Sequence, residues 1–247
     1  MRGLLKLTWT EMKLFFREPM AAFFTLAFPL MMLFLFGSIY GNKPTSFFGG
    51  YGSVDVSVPA YTAMIIATSG LLSLTIVLTI YRETGVLRRL KATPLHPQTI
   101  LTAQGSVIFL MTALGMTLLI VAAKIVYSLR FDGNPFNVLM AFILSSLSFF
   151  ALGFVLAGLM PTARSAQIVA MVLFYPMIFL SGATIPREVL PETIRNYAQI
   201  LPLTHVVNLL RGLWIGDGWN VHVKEVVILS ALLIFGVVLS AKTFRWE

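Results

Sequence analysis

The sequence predicts an all-α integral membrane protein with six transmembrane helices. Of its 247 residues, 57% are hydrophobic and only 11% are charged. The hydrophobic residues gather in runs long enough to cross about 30 Å of hydrocarbon, while the charges collect between the runs. Six spans with short connections use nearly the whole length, so little chain is left for a soluble domain.

The first 18 residues predict an amphipathic helix that lies along the membrane surface. Apolar residues recur there at four-three-four spacing: Leu5, Trp9, Met12 and Phe16. Polar residues follow the same spacing one place later: Lys6, Thr10, Lys13 and Arg17. A secretory signal is the competing interpretation, but the following apolar run has spanning length and no small-x-small cleavage site closes it. We therefore expect this helix to be retained.

Six apolar runs predict the spans, with expected bounds at 19–40, 58–81, 98–123, 136–160, 165–185 and 221–241. Span one contains five phenylalanines: Phe23, Phe24, Phe28, Phe34 and Phe36. In span four, small residues predict a face packed on a neighbouring helix: Ser145, Ser146, Ser148, Gly153 and Ala157. The connections 41–57 and 124–134 are expected to be short and turn-rich.

Prolines mark the region around the end of span five. Pro176 is expected to interrupt this span, because a proline in a helix removes a backbone hydrogen bond. Beyond it, apolar residues again recur at four-three-four spacing: Leu190, Ile194, Tyr197 and Leu201. We interpret residues 186–215 as an extracellular interfacial segment that contains short interfacial or re-entrant helices.

Residues 82–97 concentrate charge between two long apolar runs. As a short helix, this loop places Val86, Leu87 and Leu90 on one side, with charged residues on the others: Arg82, Glu83, Arg89 and Lys91. A basic loop is expected in the cytoplasm, and its apolar ridge indicates docking on a cytoplasmic partner. A loop that only fixes orientation is the alternative.

The distribution of basic residues predicts that both termini are cytoplasmic. With the N-terminus inside, eleven basic residues face inward: Arg2, Lys6, Lys13, Arg17, Arg82, Arg88, Arg89, Lys91, Arg164, Lys242 and Arg245. Seven face outward: Lys43, Lys124, Arg130, Arg187, Arg195, Arg211 and Lys224. This excess has the sign that the positive-inside rule requires. The net charge of +8 is thus explained by topology and lipid head groups, and we expect no nucleic acid partner.

Several kinds of chemistry are disfavoured by the sequence. The central parts of the proposed spans contain no charged residue or histidine, whereas ion-coupled carriers usually place such groups there. The three histidines, His96, His205 and His222, are expected in loops, so no catalytic or metal cluster is predicted. There is no cysteine and no Gly-x-x-x-x-Gly-Lys pattern. Any ATP site would belong to a partner.

Two motifs resemble those of type 2 ABC transporter permeases. The run from Arg82 to Leu95, RETGVLRRLKATPL, is similar to the cytoplasmic coupling-helix signature of that family. The second motif comprises FLSGATIP at 179–186, Leu190-Pro191, LPLTH at 201–205 and Arg211-Gly212. The resemblance covers essentially the whole chain and is strongest to the drug and antibiotic export branch. One departure is Tyr81, where many members have an acidic residue, and this difference bears on the choice of partner.

The resemblance implies a permease subunit that pairs with a second copy or a homologous permease. Separate cytoplasmic ATPase subunits would bind ATP and Mg²⁺, and no cofactor or metal is expected in this chain. The residues expected to couple to the ATPase are Arg82, Glu83, Gly85, Leu87, Arg88 and Leu90, with Lys13 and Arg17 in the N-terminal helix. Candidates for an apolar pathway are Phe28, Phe174, Tyr175, Pro176 and Met177, although such side chains also commonly face lipid or another helix.

The expected function is export of a hydrophobic or amphipathic substrate, such as a drug, an antibiotic or a lipid-like molecule, across the cytoplasmic membrane. Membrane lipids are expected partners. One alternative is an exporter of a lipid-linked glycan or polysaccharide. Another is a membrane assembly or sensory protein that recruits a cytoplasmic partner without transport.

Overall fold

The computed structural model describes residues 2–17, 19–86, 97–185 and 191–243. Within these ranges the chain is helical and contains no β-strand. The helices, in chain order, are α1 (Arg2–Arg17), α2 (Pro19–Ala22), α3 (Phe28–Tyr40), α4 (Ser53–Ala67), α5 (Thr75–Glu83), α6 (Pro97–Tyr127), α7 (Pro135–Leu159), α8 (Ala163–Leu180), α9 (Glu192–Ala198), α10 (Pro202–Trp214) and α11 (Val223–Thr243). Helical π-turns at Phe23–Ala27 and Thr68–Leu74 join α2 to α3 and α4 to α5.

Six helical segments are long and apolar enough to cross a membrane, which confirms the predicted fold class. They are Phe23–Tyr40, Ser46–Glu83, Leu101–Tyr127, Pro135–Leu159, Ala163–Leu180 and Val223–Thr243. We refer to them as spans one to six. Span two begins earlier than expected, at Ser46. Its first long helix, α4, begins at Ser53, five residues before the predicted boundary at 58, because the Asp55 carboxylate accepts a hydrogen bond from the Gly52 amide and caps the helix there.

Spans two and four form the centre of the fold, and the predicted small-residue face of span four is buried. Ser145, Ser146 and Ser148 are fully buried, as are the positions where α7 crosses span two. A side chain at Gly70 would come within 2.7 Å of the Phe149 backbone, and one at Gly153 would overlap the Gly70 carbonyl. Only glycines allow the two backbones to approach this closely.

Span six packs along α7 from the other side. The hydroxyl of Ser148 donates a hydrogen bond to the carbonyl of Leu229 over 2.8 Å. A side chain at Gly236 would lie 2.8 Å from the Cβ of Ala151, so the contact again depends on small residues. The opposite face of α11 is exposed and apolar, as expected for a surface that meets lipid or another protein.

We call residues 82–97 the coupling loop. The connections at the opposite ends of the spans from this loop are joined through one buried carboxylate. Asp55 accepts hydrogen bonds from the Gly52 amide at 3.0 Å, the Asn42 side chain at 2.8 Å and the Arg130 amide at 2.9 Å. The Arg130 carbonyl in turn accepts a hydrogen bond from the Trp214 indole at 3.1 Å. These bonds tie the loop between spans one and two to the loop between spans three and four, and to the end of α10.

Two predictions about span five are wrong. The helix is not interrupted at Pro176 but continues through it to Leu180. It then ends five residues before the predicted boundary at 185, because Gly182 adopts a left-handed conformation with φ of 89°. Since proline fixes a helical φ, it can remain in a helix whose neighbouring turns are supported by packing.

The segment 186–215 divides into two different parts. Residues 186–190, including Leu190 of the predicted stripe, lie outside the described residues. The surface helix α9 leaves Ile194 and Tyr197 exposed, and its interfacial position stays a prediction. Helix α10 is buried among spans two, four, five and six, which is the arrangement of a re-entrant helix and not of a helix that lies along the membrane surface. The extracellular position of the segment stays a prediction.

The placement of His205 in a loop is also corrected. His205 lies inside α10, is 2% exposed, and its Nε2 is 2.9 Å from the Gln199 carbonyl. His222 directly precedes α11 and contacts Asp217, with 3.1 Å between Nε2 and the carboxylate. His96 lies outside the described residues.

Candidate coupling site

The next-to-last residue of span two is an arginine that binds the end of span four. The Arg82 guanidinium donates hydrogen bonds to the carbonyls of Ala157 at 2.8 Å and Gly158 at 3.3 Å, and also to that of Met160. Because α7 ends at Leu159, the carbonyls of Ala157 and Gly158 belong to its last turn, where they lack partners within the helix, and Met160 follows directly after it. A cation is favourable at this end of the helix dipole.

The next residue binds the start of span five. The Glu83 carboxylate accepts a hydrogen bond from the amide of Ala163, the first residue of α8, over 2.8 Å. Thr162 and Ser165 complete this N-terminus with a reciprocal pair of backbone and side-chain hydrogen bonds. An anion is favourable here because the free amides give the end a partial positive charge.

Arg82 and Glu83 therefore hold the turn between spans four and five from both sides. We call these two residues, with the turn 160–163 that they contact, the turn clamp. It lies where the chain leaves span two for the coupling loop, so it fixes the base of that loop against two other spans. Both side chains form hydrogen bonds within the chain. The prediction that they contact the ATPase did not anticipate these bonds.

The chain turns immediately after the clamp. The Thr84 amide bonds to the Ile80 carbonyl at 2.9 Å and the Gly85 amide to the Arg82 carbonyl at 3.1 Å. Gly85 has φ of 69°, a left-handed conformation that other residues adopt only with strain. The predicted coupling residues Leu87, Arg88 and Leu90 lie outside the described residues.

The N-terminal helix is attached close to the clamp. The Tyr81 hydroxyl donates a hydrogen bond to the Glu11 carboxylate over 2.7 Å. Further along α1, Phe15 packs with Val107 and Met111 of span three. Tyr81, the predicted departure from the family pattern, thus joins the end of span two to α1.

Of the two coupling residues predicted in α1, only Lys13 has a described side chain. Lys13 is exposed, and its ammonium lies 5.2 Å from the ring centre of Trp9. Arg17 is the last residue of α1, and its side chain is outside the described set. Glu11 was missed at the sequence level, although it is the one acidic residue in an otherwise basic helix.

The five predicted pathway residues do not form one surface within a single chain. Phe174 and Met177 are buried in the main core, and Phe28 packs against that core. Tyr175 is 48% exposed and Pro176 is also exposed, on the outer side of span five. A pathway that includes Tyr175 and Pro176 would therefore need a second chain opposite them, and their role stays a prediction.

The described residues contain no group of three or more His, Asp or Glu side chains placed to hold a metal ion.

Residues 2–214 match the family model described as ABC-2 type transporter. The chain belongs to this family. As a member of this family the chain is an ABC transporter permease, and we refer to it below as this ABC-2 permease.

Several curated proteins are similar to this ABC-2 permease. Probable multidrug ABC transporter permease YbhR of Escherichia coli K12 is 24% identical over 168 residues, which are 66% of this chain and 46% of YbhR. Nodulation protein J of Bradyrhizobium diazoefficiens is 30% identical over 95 residues, 37% of this chain and 36% of that protein. Putative transport permease ycf38 of Pyropia yezoensis is 24% identical over 214 residues, 83% of this chain and 71% of ycf38. The matches thus span less than half of the length of the first two relatives.

Proposed function

We propose that this permease exports a hydrophobic or amphipathic molecule across the cytoplasmic membrane, driven by separate ATPase subunits. The observation that carries the proposal is the turn clamp, combined with the match to the ABC-2 family over residues 2–214. A loop whose base is fixed to three spans can transmit a displacement to all of them at once. A loop without such attachments would change its own conformation instead of moving the spans.

In this proposal ATP and Mg²⁺ bind to the partner, and the coupling loop receives the movement of the ATPase. The clamp transmits that movement to the ends of spans two, four and five. Helix α1 moves with them because Tyr81 joins it to span two. The loop and both termini lie on the cytoplasmic side, as the excess of basic residues supports.

An apolar groove supports a hydrophobic substrate. It has a volume of about 970 Å³ and opens between spans three, four and six. Its lining includes Gly105, Ser106, Phe109, Leu147, Phe154 and Val237. A groove of this size and character accommodates an acyl chain or a hydrophobic drug. The name of YbhR, a probable multidrug permease, favours the drug branch over the glycan alternative.

The experiment is an affinity purification of the tagged chain from its native membrane, followed by mass spectrometry. We expect a P-loop ATPase to copurify with the wild type. Glu83→Arg removes the acceptor of the Ala163 amide and places a cation at a helix N-terminus, so we expect the ATPase to be lost or its activity to be uncoupled. Glu192→Arg is the matched control, because it makes the same charge reversal at an exposed position on α9.

Transport is then measured with the purified complex in liposomes. ATP-dependent movement of a fluorescent hydrophobic drug in wild type and Glu192→Arg, but not in Glu83→Arg, supports the proposal. Movement of lipid-linked glycans alone favours the glycan exporter. ATP hydrolysis without movement of any tested drug, lipid or glycan favours a protein that only recruits a partner. Recovery of the chain without an ATPase, under conditions that preserve known complexes, contradicts the proposal.

A further inference from the structure

A second cavity lies between the N-terminal helix and the spans beneath it. Its volume is about 400 Å³, and it is lined by α1, the start of α2, the second half of span two and α6. Most of its wall is apolar: Leu14, Phe15, Val77, Ile80, Val107 and Ile108. Polar side chains are few: Glu11, Ser73, Tyr81 and Gln104. The turn clamp and the groove between spans three, four and six do not include this cavity.

Glu11 brings a carboxylate to the cavity wall. The residue is only 8% exposed. Its carboxylate accepts one hydrogen bond, from Tyr81, and forms no ion pair with any of the described residues. A buried carboxylate is stable only when its charge is compensated, and a single neutral hydrogen bond leaves most of that need unmet. Among the described residues, Glu11 is therefore the acceptor that this cavity offers to a cation.

Gln104 brings an unused donor to the same cavity. The residue is 3% exposed, and its Nε2 has no hydrogen-bond partner among the described residues. Buried polar groups in folded proteins almost always have partners, so an orphaned amide that lines a cavity indicates a ligand with an acceptor atom. Gln104 lies about 10 Å along α6 from Pro97, which places the cavity near the boundary between lipid head groups and hydrocarbon.

We infer that this cavity binds an ammonium group attached to an apolar body. The ammonium donates hydrogen bonds to Glu11, the apolar body fills the space lined by Phe15, Val107 and Ile108, and the Gln104 amide donates to an oxygen near the ammonium. Two sources supply this chemistry: the head group of an aminophospholipid and a free hydrophobic amine. The inference does not rest on the proposed transport function, because binding is measured without an ATPase.

The binding experiment uses the full chain in phosphatidylcholine nanodiscs and tritium-labelled dodecylamine, with empty nanodiscs subtracted. We expect saturable binding. Dodecanol has the same chain without the charge, and dodecyltrimethylammonium has the charge without an N–H group. Neither is expected to displace dodecylamine, because each lacks part of what Glu11 recognises. An amine with an ether oxygen beside the ammonium, 2-(dodecyloxy)ethylamine, is expected to bind more tightly than dodecylamine.

Variants separate recognition from folding. Glu11→Gln is expected to weaken dodecylamine binding at least about tenfold, because it removes the charge that pairs with the ammonium. The glutamine oxygen can still accept the hydrogen bond from Tyr81, so this variant removes the charge without detaching α1 from span two. Glu192→Gln, which makes the same change at an exposed position on α9, should bind dodecylamine like the wild type. Gln104→Leu should abolish the advantage of the ether-containing amine, whereas Gln167→Leu, at an exposed position on span five, should not.

A last comparison distinguishes the two sources of the ammonium. If an aminophospholipid occupies the cavity, adding phosphatidylethanolamine to the nanodiscs will weaken dodecylamine binding to the wild type. If the ligand is a free amine, this addition will have no effect. Binding to Glu11→Gln with wild-type affinity would overturn the inference. Equal losses in Glu11→Gln and Glu192→Gln would also overturn it, because they would show that the loss does not depend on a charge in the cavity.

Discussion

Arg82 and Glu83 are adjacent in the sequence, yet their side chains bind the ends of two different helices. Arg82 binds the carboxyl end of α7, and Glu83 binds the amino end of α8. Each charge has the sign that its helix end favours. The Arg-Glu pair thus has a structural explanation, because it supplies a donor to free carbonyls at one helix end and an acceptor to a free amide at the other. Their part in ATPase coupling stays a prediction that the affinity purification tests.

The clamp predicts slow exchange of one backbone amide. Glu83→Ala should expose the Ala163 amide and speed its hydrogen–deuterium exchange about tenfold or more, because a hydrogen bond to a charged acceptor contributes roughly 1.5–3 kcal/mol. Mass spectrometry of peptides that contain residues 160–165 would measure the change. Arg164→Ala, at an exposed neighbouring position, is the control and should leave this exchange unchanged. Identical exchange in Glu83→Ala and wild type would contradict the clamp.

A side chain at Gly212 is predicted to displace the imidazole of His222. A Cβ at this position would overlap the imidazole of His222 and come within 2.9 Å of the Asp217 carboxylate. Gly212→Ala should destabilise the protein by about 1–3 kcal/mol, the usual cost of overpacking. Thermal unfolding in detergent, followed by tryptophan fluorescence, would show a lower midpoint.

Gly105→Ala is the matched control for Gly212→Ala. The nearest atom to a Cβ at Gly105 is Cζ of Phe154, at 4.0 Å. Alanine should therefore be neutral or slightly stabilising there, since its helix propensity is better than that of glycine by about 1 kcal/mol. An unfolding midpoint of Gly212→Ala as high as that of Gly105→Ala would mean that His222 moves aside at no cost.

At the scale of elements, short polar networks and small residues determine how the helices meet. Gly70 and Gly153 let spans two and four cross in backbone contact. At the opposite end from the coupling loop, Asp55 joins two connections that are distant in the sequence. Association of spans in lipid has little hydrophobic driving force, so such packing and hydrogen bonds decide the arrangement.

Asp55→Asn is expected to loosen this junction. The carboxylate accepts three hydrogen bonds, and an amide in its place would turn a donor toward at least one of those donors. We expect a loss of about 1–3 kcal/mol, the typical cost of leaving a buried polar group unsatisfied. A lower thermal midpoint than that of Glu192→Gln, which neutralises an exposed acid on α9, would confirm it. Equal midpoints would show that Asp55 does not stabilise the junction.

At the scale of the whole molecule, the fold leaves apolar surface uncovered. Val227, Ile234 and Phe235 of span six are each more than half exposed. Exposed apolar surface of this extent is typical of lipid-facing or subunit-facing helices. The exposed Tyr175 of span five is a candidate for a contact with the second permease copy, because a pathway lined by Tyr175 needs a second chain opposite it.

The membrane orientation is a prediction that the absence of cysteine makes easy to test. Single cysteines at two exposed positions, Lys43→Cys and Arg164→Cys, report opposite sides of the membrane. A membrane-impermeant maleimide should label Lys43→Cys in intact cells, and Arg164→Cys only after permeabilisation, because the side richer in basic residues stays in the cytoplasm. The reverse labelling pattern would show that the predicted topology is inverted and that the coupling loop lies outside the cell.

Much of the fold could be predicted because apolar run length and charge placement are local properties. The six spans, the N-terminal helix and the packed face of span four follow from them. Helix α10 could not be predicted in the same way, since a 13-residue helix is too short for a span and has the composition of an interfacial one. Its burial depends on contacts with four spans that lie far from it in the sequence.

The candidate site, like the fold, was predictable from the sequence only in part. The sequence by itself determined that the protein is a six-span membrane protein with a charged loop after span two, and its motifs indicated an ABC-2 permease. Only the tertiary structure decided what Arg82, Glu83 and Glu11 contact, because their partners are 70 to 80 residues away. Hydrophobic periodicity specifies which residues leave water, whereas the partner of a polar group depends on which helix ends the packing brings together.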